Sequence, residues 1–432
     1  MRRVIRFTKV LACVLIACLS QQVHAQTPVP WPEFRGPYQN GHAPDKSNIP
    51  TVWSETKNVK WKTPIPHKGW SSPVIESDTL WITGADEDGT DYYVMGVNAE
   101  SGKIVYNEHF FHYDSPEALG NTVNGYASPT SAIRDGRLFV HFGSYGTACI
   151  DTKTKKVLWK RENLECRHYR GPGSSVVLYE DLLILTFDGI DQQYTIALNI
   201  DTADTVWRTD RTTKWDDLDE NGKPKRDGDL RKAFSTPVIT EVNNQPLLLS
   251  IGSCSIFGYE PKTGKELWSM ATPGSTPSIR PVLHKGLAYV ALGYGTQESR
   301  SIKLDGKGVI GDDHVAWKFS EKSQKPDTAS PVIVDGLLYV LTDRGIVSCL
   351  DAESGEVVWS ERIGGNYMAS TLYANGHIYC YSKQGKTTVL KAGRTFKVAS
   401  VNELEEGFMA SPAVFGNALF LRTSGFLYRI EE

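Results

Sequence analysis

The sequence has few cysteines, and none of them stands in a metal-binding or redox arrangement. Of the seven cysteines, two fall within the first 25 residues. The other five are an odd number with no close pair and no CxxC motif, which argues against a disulfide framework and against a zinc or dithiol site. They are Cys149, Cys166, Cys254, Cys349 and Cys380. Three of them, Cys149, Cys254 and Cys349, stand in apolar strand patterns, so we expect small buried core residues.

A long apolar run and an excess of one charge sign are also missing. The formal net charge is −3 over 432 residues, which gives no reason to expect nucleic acid or an anionic membrane as a partner. The apolar run at residues 10–19 is too short to span a bilayer. No later stretch is long and apolar enough to do so, and no long helical period of apolar residues is present.

Residues 1–25 have the features of an export signal. Four cations precede the apolar run, namely Arg2, Arg3, Arg6 and Lys9. Val23-His24-Ala25 ends in the small residue that signal peptidase requires, and cleavage there changes the formal net charge to −7. A second interpretation is that Leu15-Ile16-Ala17-Cys18 resembles a bacterial lipobox, which would place a lipid anchor on Cys18. The sequence predicts export to the periplasm or cell envelope and leaves soluble and lipid-anchored forms open.

What the sequence does contain is a repeat. A strand opener occurs eight times, at Ser72-Pro73-Val74, Ser128-Pro129-Thr130, Ser174-Ser175-Val176, Thr236-Pro237-Val238, Arg280-Pro281-Val282, Ser330-Pro331-Val332, Ser370-Thr371-Leu372 and Ser411-Pro412-Ala413. An aromatic residue closes each unit, at Trp61, Tyr106, Trp159, Trp207, Trp268, Trp317, Trp359 and Phe396. The steps between these aromatics run from 37 to 61 residues, the range in which propeller repeats fall.

Each unit has the pattern of one small twisted sheet. Short β-branched and aromatic segments alternate with tight-turn dipeptides such as Asp335-Gly336 and Asn375-Gly376. Four such strands bury both faces of their sheet only when another unit packs on each side. The sequence therefore predicts an all-β fold, an eight-bladed β-propeller of four-stranded antiparallel blades at residues 53–432, preceded by an extension at 26–52. We expect the repeated tryptophans to pack between the sheets.

The two ends of the repeat predict how the ring closes. The last opener, Ser411, is followed by only two more strands, whereas Val59-Lys60-Trp61-Lys62 is a spare outer strand that precedes the first opener. Pairing the early strand with the last unit completes its sheet and removes an exposed edge.

The repeat resembles that of the PQQ-like β-propeller family. The segments that carry the resemblance are Asp351–Trp359 and Glu260–Trp268, with further copies at Asn98–Lys103 and Asp151–Thr154. Trp31–Pro37 is similar to the mature start of many exported bacterial members. The family contains quinoprotein dehydrogenases, which oxidise alcohols or sugars with PQQ and calcium. It also contains non-catalytic envelope propellers such as outer-membrane assembly lipoproteins, so the resemblance implies two alternative functions.

The residues favour the non-catalytic alternative. The chain has no adjacent cysteine pair, no haem-attachment CxxCH and no segment matching the calcium-ligand and catalytic-aspartate blocks of the dehydrogenases. We therefore expect a binding or scaffold module of the cell envelope, with an envelope protein or a cell-surface polymer as its partner and no assigned cofactor. The alternative is a quinoprotein-type oxidoreductase that uses PQQ and calcium.

The loops that lead into the innermost strands of a propeller line its central funnel, where ligands bind. Aligned on the openers, these loops give a set of basic and aromatic candidates, namely Lys68, Trp70, Tyr126, Arg167, His168, Arg170, Arg231, Lys232, Phe234 and Arg280. Met368 and Met409 hold the corresponding position in later repeats. Cations that converge over aromatic walls suit an anionic or sugar-like ligand. The competing interpretation is rim packing and solvated charge.

Two other clusters carry metal-ligand types. Asp217, Asp219 and Asn221 follow the first half of an EF-hand-like calcium loop, but its twelfth position is Gly228 instead of glutamate, which favours a polar hairpin tip. Glu108, His109, His112 and Asp114 form the second cluster. Strand alternation would place His112 and Asp114 on one face, and a metal site there needs a further ligand from elsewhere in the chain.

Overall fold

The computed structural model describes residues 28–120, 123–296, 298–320 and 325–432. The predicted export signal, with the lipidation alternative at Cys18, lies outside the described residues. No helix in the described ranges is long and apolar enough to cross a membrane.

Within these ranges, eight antiparallel sheets form the blades of a propeller, which confirms the predicted fold. Blade 1 contains β2 (Val74–Glu76), β3 (Thr79–Ala85), β4 (Asp91–Asn98) and β5 (Ile104–His112), and blade 2 contains β6 (Ala132–Arg134), β7 (Arg137–His141), β8 (Thr147–Asp151) and β9 (Val157–Arg161). Blade 3 contains β10 (Val177–Tyr179), β11 (Leu182–Asp188), β12 (Gln193–Asn199) and β13 (Thr205–Asp210). Blade 4 contains β14 (Val238–Val242), β15 (Gln245–Gly252), β16 (Ser255–Tyr259) and β17 (Glu266–Ala271).

Blades 5 to 8 follow in the same order around the ring. Blade 5 contains β18 (Val282–His284), β19 (Leu287–Ala291), β20 (Ser299–Lys303) and β22 (Val315–Phe319), and blade 6 contains β23 (Val332–Val334), β24 (Leu337–Leu341), β25 (Ile346–Asp351) and β26 (Val357–Arg362). Blade 7 contains β27 (Leu372–Ala374), β28 (His377–Tyr381), β29 (Lys386–Lys391) and β30 (Val398–Glu403). Blade 8 contains β31 (Ala413–Phe415), β32 (Ala418–Arg422), β33 (Phe426–Ile430) and β1 (Val59–Pro64). A short 3-10 turn lies at Asp312–His314, and Lys225–Arg231 consists of two turns separated by a kink at residues 226–228, where φ is positive.

Blade 8 is completed by the start of the chain, as the sequence predicts. β1 pairs antiparallel with β33, with Lys62 opposite Tyr428 and Thr63 opposite Leu427. The Lys62 ammonium lies 4.4 Å from the centre of the Phe426 ring and forms an ion pair with Glu55 at 3.1 Å. The seam therefore joins strands that are more than 360 residues apart in sequence by backbone pairing and by a cation–π contact.

One blade has more strands than the prediction gives it. β21 (Gly308–Ile310), which lies between β20 and β22 in the chain, leaves blade 5 and pairs in parallel with β17 of blade 4. Blade 4 thus has a fifth strand. Ile310 packs into the core around Trp268, so the insertion covers the apolar edge of blade 4 and links it to its neighbour.

The repeated tryptophans join neighbouring blades, because the indole N–H of an outer strand donates to a turn carbonyl of the following blade. The bonds run from Trp61 to Ala99 at 3.0 Å, Trp159 to Ile200 at 2.9 Å, Trp207 to Pro261 at 3.2 Å, Trp317 to Ala352 at 3.2 Å and Trp359 to Gly393 at 3.1 Å. The aromatic body packs between the sheets while its polar N–H is satisfied.

The openers form a second ring of bonds close to the axis. The backbone N–H of an opener donates to the hydroxyl of the opener in the next blade, as Ser330 N does to Ser370 Oγ at 3.2 Å. Seven such bonds occur in the described chain: Ser72 to Thr130, Thr130 to Ser175, Ser175 to Thr236, Arg280 to Ser330, Ser330 to Ser370, Ser370 to Ser411 and Ser411 to Ser72. The position between Thr236 and Arg280 interrupts the ring, because arginine has no hydroxyl to accept the bond.

The N-terminal extension crosses the axis beneath this ring. Trp31 pairs with Ile75 of blade 1 by two backbone hydrogen bonds of 2.9 and 2.8 Å. Ten residues later, Gly41 and Ala43 bond in the same way to Tyr373 of blade 7. Gly36 between them has a φ of 80°, and a Cβ there would lie 2.7 Å from the Trp31 ring, so the turn requires glycine.

Two buried arginines hold the crossing segment in place. The Arg35 guanidinium donates to the carbonyls of Ser330 at 3.0 Å and Thr371 at 3.3 Å. The Arg280 guanidinium donates to the carbonyl of Phe34 at 2.6 Å. Burial lowers the pKa of Arg35 to about 9 and also lowers that of Arg280, and Arg35 stays charged at neutral pH. The segment closes the central channel from below.

The five cysteines among the described residues are free thiols, and four of them are buried: Cys149, Cys166, Cys349 and Cys380. Cys254 differs from the expectation of a buried strand residue. It is partly exposed in the turn between β15 and β16, at a φ of 56°. The apolar residues on either side of Cys254 belong to two different strands, β15 and β16, whereas the sequence pattern predicts a single strand that includes it.

The hydroxyl ring predicts a stability effect. Ser370→Ala leaves the buried N–H of Ser330 without its acceptor, so we expect a loss of about 1–3 kcal/mol in the free energy of unfolding. Chemical denaturation followed by tryptophan fluorescence measures this loss. The exposed Ser115→Ala is the matched control and stays within about 0.5 kcal/mol of wild type. Equal stability of the two variants would contradict a structural role for the ring.

Candidate functional site

A cavity of about 590 Å³ lies on the propeller axis above the crossing segment. Its wall is built by one residue from each blade, two positions before the opener, and each of these residues is partly exposed. They are Trp70, Ser128, Gly173, Phe234, Ser278, Thr328, Met368 and Met409. Below them lie the opener hydroxyls, such as Ser72 and Ser330, and Phe34 of the crossing segment. The site is a blind funnel with an eight-part wall and a polar lower ring.

The structure corrects the opener register in two blades. β6 begins at Ala132 and β10 at Val177, so the openers of blades 2 and 3 are Thr130 and Ser175. The Ser-Pro dipeptide at residues 128–129 resembles an opener but lies two residues before the true one. Ser174 likewise lies one residue before the true opener of blade 3. The wall position in blade 2 is therefore Ser128, and Tyr126 is buried behind the wall with its hydroxyl donating to the Glu117 carbonyl at 3.1 Å.

One side of the wall is apolar. Met368, Met409 and Trp70 come from the adjacent blades 7, 8 and 1, so their side chains form a continuous arc, which we name the apolar arc. Tyr294, also in the lining, is 66% exposed. Sequence reasoning identified Trp70 and the methionines from the opener spacing, but Tyr294 and Phe34 lie on segments without that spacing and were missed.

The opposite side of the wall is charged. The long insertion after β13 folds back over blades 3 and 4 and contributes Arg226, Asp229 and Leu230 to the lining. Arg170 of blade 3 joins them, with its guanidinium 3.1 and 3.2 Å from the Asp229 carboxylate. Burial alone would raise the pKa of Asp229, but hydrogen bonds from Lys232, Tyr169 and Arg170 lower it to about 2. Arg226, Asp229 and Leu230 were missed because nothing in the insertion sequence shows where it folds.

Two of the predicted funnel cations lie inside the protein and do not line the wall. Lys232 is fully buried, with its ammonium bonded to the Asp229 carboxylate, and burial lowers its pKa. Arg280 is also fully buried and lies below the funnel floor, bound to the crossing segment. Both side chains fix the shape of the funnel, one by holding the insertion and the other by holding the floor.

Three more of the predicted candidates, Lys68, Arg167 and Arg231, lie outside the wall. Lys68 is exposed, and its backbone N–H donates to the Ala85 carbonyl at 3.0 Å. Arg167 is exposed and forms ion pairs with Glu117 at 2.8 Å and Asp227 at 3.4 Å. Arg231 pairs with Asp217 at 2.5 Å. Of the ten predicted residues, the structure places Trp70, Arg170 and Phe234 in the funnel wall.

The Asp217 loop uses its oxygens within the protein. Both Asp217 oxygens accept from the Arg231 guanidinium, at 2.5 and 2.9 Å. One oxygen of Asp219 accepts the backbone N–H groups of Asn221 and Lys223, each at 2.9 Å. The segment is a hairpin closed by a bridge between Leu218 and Pro224. These bonds anchor the insertion that forms the charged side of the wall.

Two buried histidines lie behind the wall of blades 2 and 3. His141 Nδ1 is 2.9 Å from the Thr147 hydroxyl, and the ring packs edge-on against Phe187. His168 lies beside the Phe234 ring. Burial lowers the pKa of His141 to about 3 and that of His168 to about 4, and the charge of Lys232 contributes to the lowering at His168. Both rings are therefore neutral in the folded protein at pH 7.

Comparison with known proteins places this geometry among PQQ-like propellers. A family model described as outer membrane protein assembly factor BamB matches residues 94–295 and 310–396. The outer membrane protein assembly factor BamB of Yersinia pestis is 20% identical over 258 residues, which cover 52% of this chain and 65% of that protein. The family model therefore covers most of the repeats.

The dehydrogenase branch gives shorter matches in sequence but a long one in structure. The dehydrogenase subunit of the alcohol dehydrogenase (quinone) of Gluconacetobacter polyoxogenes is 24% identical over 122 residues, 26% of this chain. The matched part is 16% of that subunit, so the chain spans about a sixth of its length. The solved structure of quinohemoprotein alcohol dehydrogenase from Comamonas testosteroni has a TM-score of 0.66 at 13% identity, covering 93% of this chain and 80% of that one. At this identity the likeness shows the shared fold alone.

The buried histidines predict an acid-side loss of stability. Because their pKa values are lower in the folded chain than the unfolded value near 6.5, the unfolded state takes up protons first as pH falls. Stability is full above about pH 6.5 and declines toward the folded values, by about 2 kcal/mol per histidine at pH 5. Denaturation between pH 7 and 5 measures this decline, and His168→Gln reduces it. A pH-independent free energy of unfolding would contradict the neutral buried state.

Proposed function

The chain belongs to the PQQ-like propeller family whose model is described as outer membrane protein assembly factor BamB, and from this we propose that it is an exported, non-catalytic binding module of the cell envelope. Its funnel holds a segment of a partner protein. The observation that carries the proposal is the funnel itself, which is closed below by the crossing segment and open above, with an apolar arc facing a charged side.

The residue types of the wall support a polypeptide partner. Aromatic residues, methionine and arginine are enriched where proteins bind one another, whereas lysine, glutamate and aspartate are depleted. The lining holds Trp70, Tyr294, Met368, Met409 and Arg226. Methionine side chains are flexible and adapt to different apolar partners. An apolar side chain of the partner seated against the apolar arc would bury these groups together.

The charged side of the wall supports the orientation of such a segment. Arg170 is held by Asp229, whereas Arg226 is exposed and has no ion pair among the described residues. A carboxylate of the partner can pair with Arg226 while an apolar neighbour contacts the opposite arc. Charge complementarity of this kind fixes register more than it adds affinity.

The lining residues do not fit the cofactor pair of the dehydrogenase branch. PQQ is a planar tricarboxylate, and calcium takes about six to eight oxygen ligands, several of them carboxylates. The carboxylates of the described lining are Asp229 and Asp327. Arg170 and Lys232 already engage Asp229, and Lys325 engages Asp327 at 2.5 Å. With each carboxylate committed to a cation, the described lining offers no set of free carboxylates for calcium, and Arg226 is its single cation without an ion pair to set against the three carboxylates of PQQ.

The envelope location rests on two supports. Residues 1–25 carry the basic start, apolar run and small-residue end of an export signal. The matched family model and the Yersinia pestis relative both bear the description of an outer membrane assembly factor. We propose the envelope as the compartment and an envelope protein as the partner.

Photo-crosslinking in cells of the source bacterium tests the proposal. Met409 is replaced by a photoreactive phenylalanine analogue, and the matched control carries the analogue at Thr154, an exposed turn on the opposite face of the ring. We expect one protein adduct from position 409 and none from 154. Adding Trp70→Ala to the Met409 probe lowers the adduct yield about tenfold, because central aromatic residues contribute most of the binding energy.

Three outcomes would contradict the proposal. The first is an adduct of equal yield from both faces, and the second is no protein adduct from position 409. The third is dye-linked oxidation of an alcohol or sugar by the purified chain after addition of PQQ and calcium. An adduct with polysaccharide in place of protein would reassign the partner to a cell-surface polymer.

A further inference from the structure

A cluster of histidine and aspartate side chains lies on the outer edge of blade 1, outside the funnel. His109 Nε2 and His112 Nδ1 each lie 2.8 Å from the same oxygen of Asp91. All three side chains are partly or largely exposed, and their ligand atoms lie within 4.8 Å of one another. The cluster is separate from the wall residues described above, so the proposed partner site does not account for it.

A β-bulge brings the two histidines to the same side of their strand. In a regular strand, residues three apart face opposite sides, so His109 and His112 would diverge. Between β4 and β5 the register shifts, with Tyr92 opposite Phe111 but Tyr93 opposite His109, so Phe110 is an extra residue. Phe110 and Phe111 are both buried as a result. Bulges are common where a strand must redirect a side chain, and are frequent beside functional sites.

The bulge also explains why strand alternation does not predict that His109 and His112 lie together. Alternation places His112 with Asp114 and separates His109 from both, and it leaves the further ligand unknown. The structure supplies that ligand from the neighbouring strand, because Asp91 is the first residue of β4 and lies opposite His112 at the end of β5. The three donors therefore come from two strands that are hydrogen-bonded to each other.

We propose that Asp91, His109 and His112 bind a divalent transition-metal ion of the Zn²⁺ class at this edge of blade 1. Two imidazole nitrogens and one carboxylate oxygen are a donor set that zinc accepts, leaving a fourth position for water or a donor from a partner. Zinc–ligand bonds of about 2.1 Å require ligand atoms about 3.4 Å apart. The two present nitrogen–oxygen contacts of 2.8 Å need to open by about 0.6 Å to reach that separation, which side-chain rotation provides.

Surrounding groups suit a cation. His112 turns its other nitrogen, Nε2, toward Asp114 at 3.2 Å. A carboxylate that accepts the second N–H of a ligating histidine fixes the ring and increases its basicity. Asp86 is close by, and its pKa is raised by partial burial first and then by the negative charges of Asp91 and Asp88. A local excess of carboxylates creates a negative electrostatic potential, which attracts a divalent cation.

The position of the cluster places it on the funnel face of the ring. β2 leaves the funnel from the opener Ser72, β3 returns toward it, and β4 then begins at Asp91. The ends of β3 and β5 and the start of β4 therefore share the face on which the funnel opens. A metal ion with an open position there can accept a donor from a molecule that approaches the same face.

Isothermal titration of the full chain with ZnCl₂ tests the site, with a chain that carries no added histidine tag. We expect one Zn²⁺ per chain, and a decrease in affinity of at least about tenfold in each of His109→Ala, His112→Ala and Asp91→Asn. These residues are on the surface, so the variants fold, which circular dichroism and thermal melting verify. His377→Ala, on β28 of blade 7, is the matched control and retains wild-type affinity.

Co²⁺ substitution gives a second readout that does not depend on heats. Cobalt bound by two imidazoles and a carboxylate gives visible d–d absorption, and His112→Ala removes it. The proposal is overturned if the wild-type chain takes up no Zn²⁺, or if all three ligand variants bind with unchanged affinity. Failure of this site leaves the funnel proposal intact, because the crosslinking from Met409 does not use these residues.

Discussion

The propeller depends on closing a ring in which each blade is bonded to the next. Near the axis, the hydroxyl of one opener accepts the backbone N–H of the preceding opener. At the periphery, indole N–H groups donate across the same boundaries. Because β1 pairs with β33, the ring has no free blade edge at the point where the chain ends meet. A blade buries both faces only within the closed ring, so stability, funnel shape and wall position follow from closure.

Ring closure alone would leave a channel open at both ends, and the crossing segment turns it into a funnel. Arg35 and Arg280 bring buried positive charge to the axis and use it to bind backbone carbonyls, including that of Phe34. Buried charges are costly unless their hydrogen bonds are satisfied. This cost makes the crossing segment an integral part of the core. The asymmetry of the wall above it, apolar across blades 7, 8 and 1 and charged at the insertion, gives a bound segment one preferred direction.

The repeat predicts the eight blades and the seam, because opener spacing and turn dipeptides are local signals that recur. The wall residues can be predicted from the sequence only in blades where the opener is assigned to the correct residue. The Ser-Pro dipeptide at residues 128–129 precedes the true opener Thr130, and that shift assigned Tyr126 to the wall. Charge misleads for another reason, because Lys232 and Arg280 are cations of the kind expected in a funnel but both are buried. Arg280 is bonded to Phe34, which is distant in sequence, and Lys232 lies over the ring of Tyr169 as well as beside Asp229. Asp91 is a neighbour of His112 only because β4 pairs with β5, and the bulge in β5 sets the register of that pairing. Neither the pairing nor the bulge can be read from the sequence.

Hydrogen–deuterium exchange of the crossing segment tests most directly the claim that the channel is closed from below. If residues 31–43 are bound by Arg35, Arg280 and the inner strands, their bonded amides exchange as slowly as those of the central strand β32, over hours or longer. Exchange within seconds, with β32 still protected, would show that the segment leaves the channel freely. The funnel would then have no floor, and the account of a blind site with Phe34 at its base would be wrong.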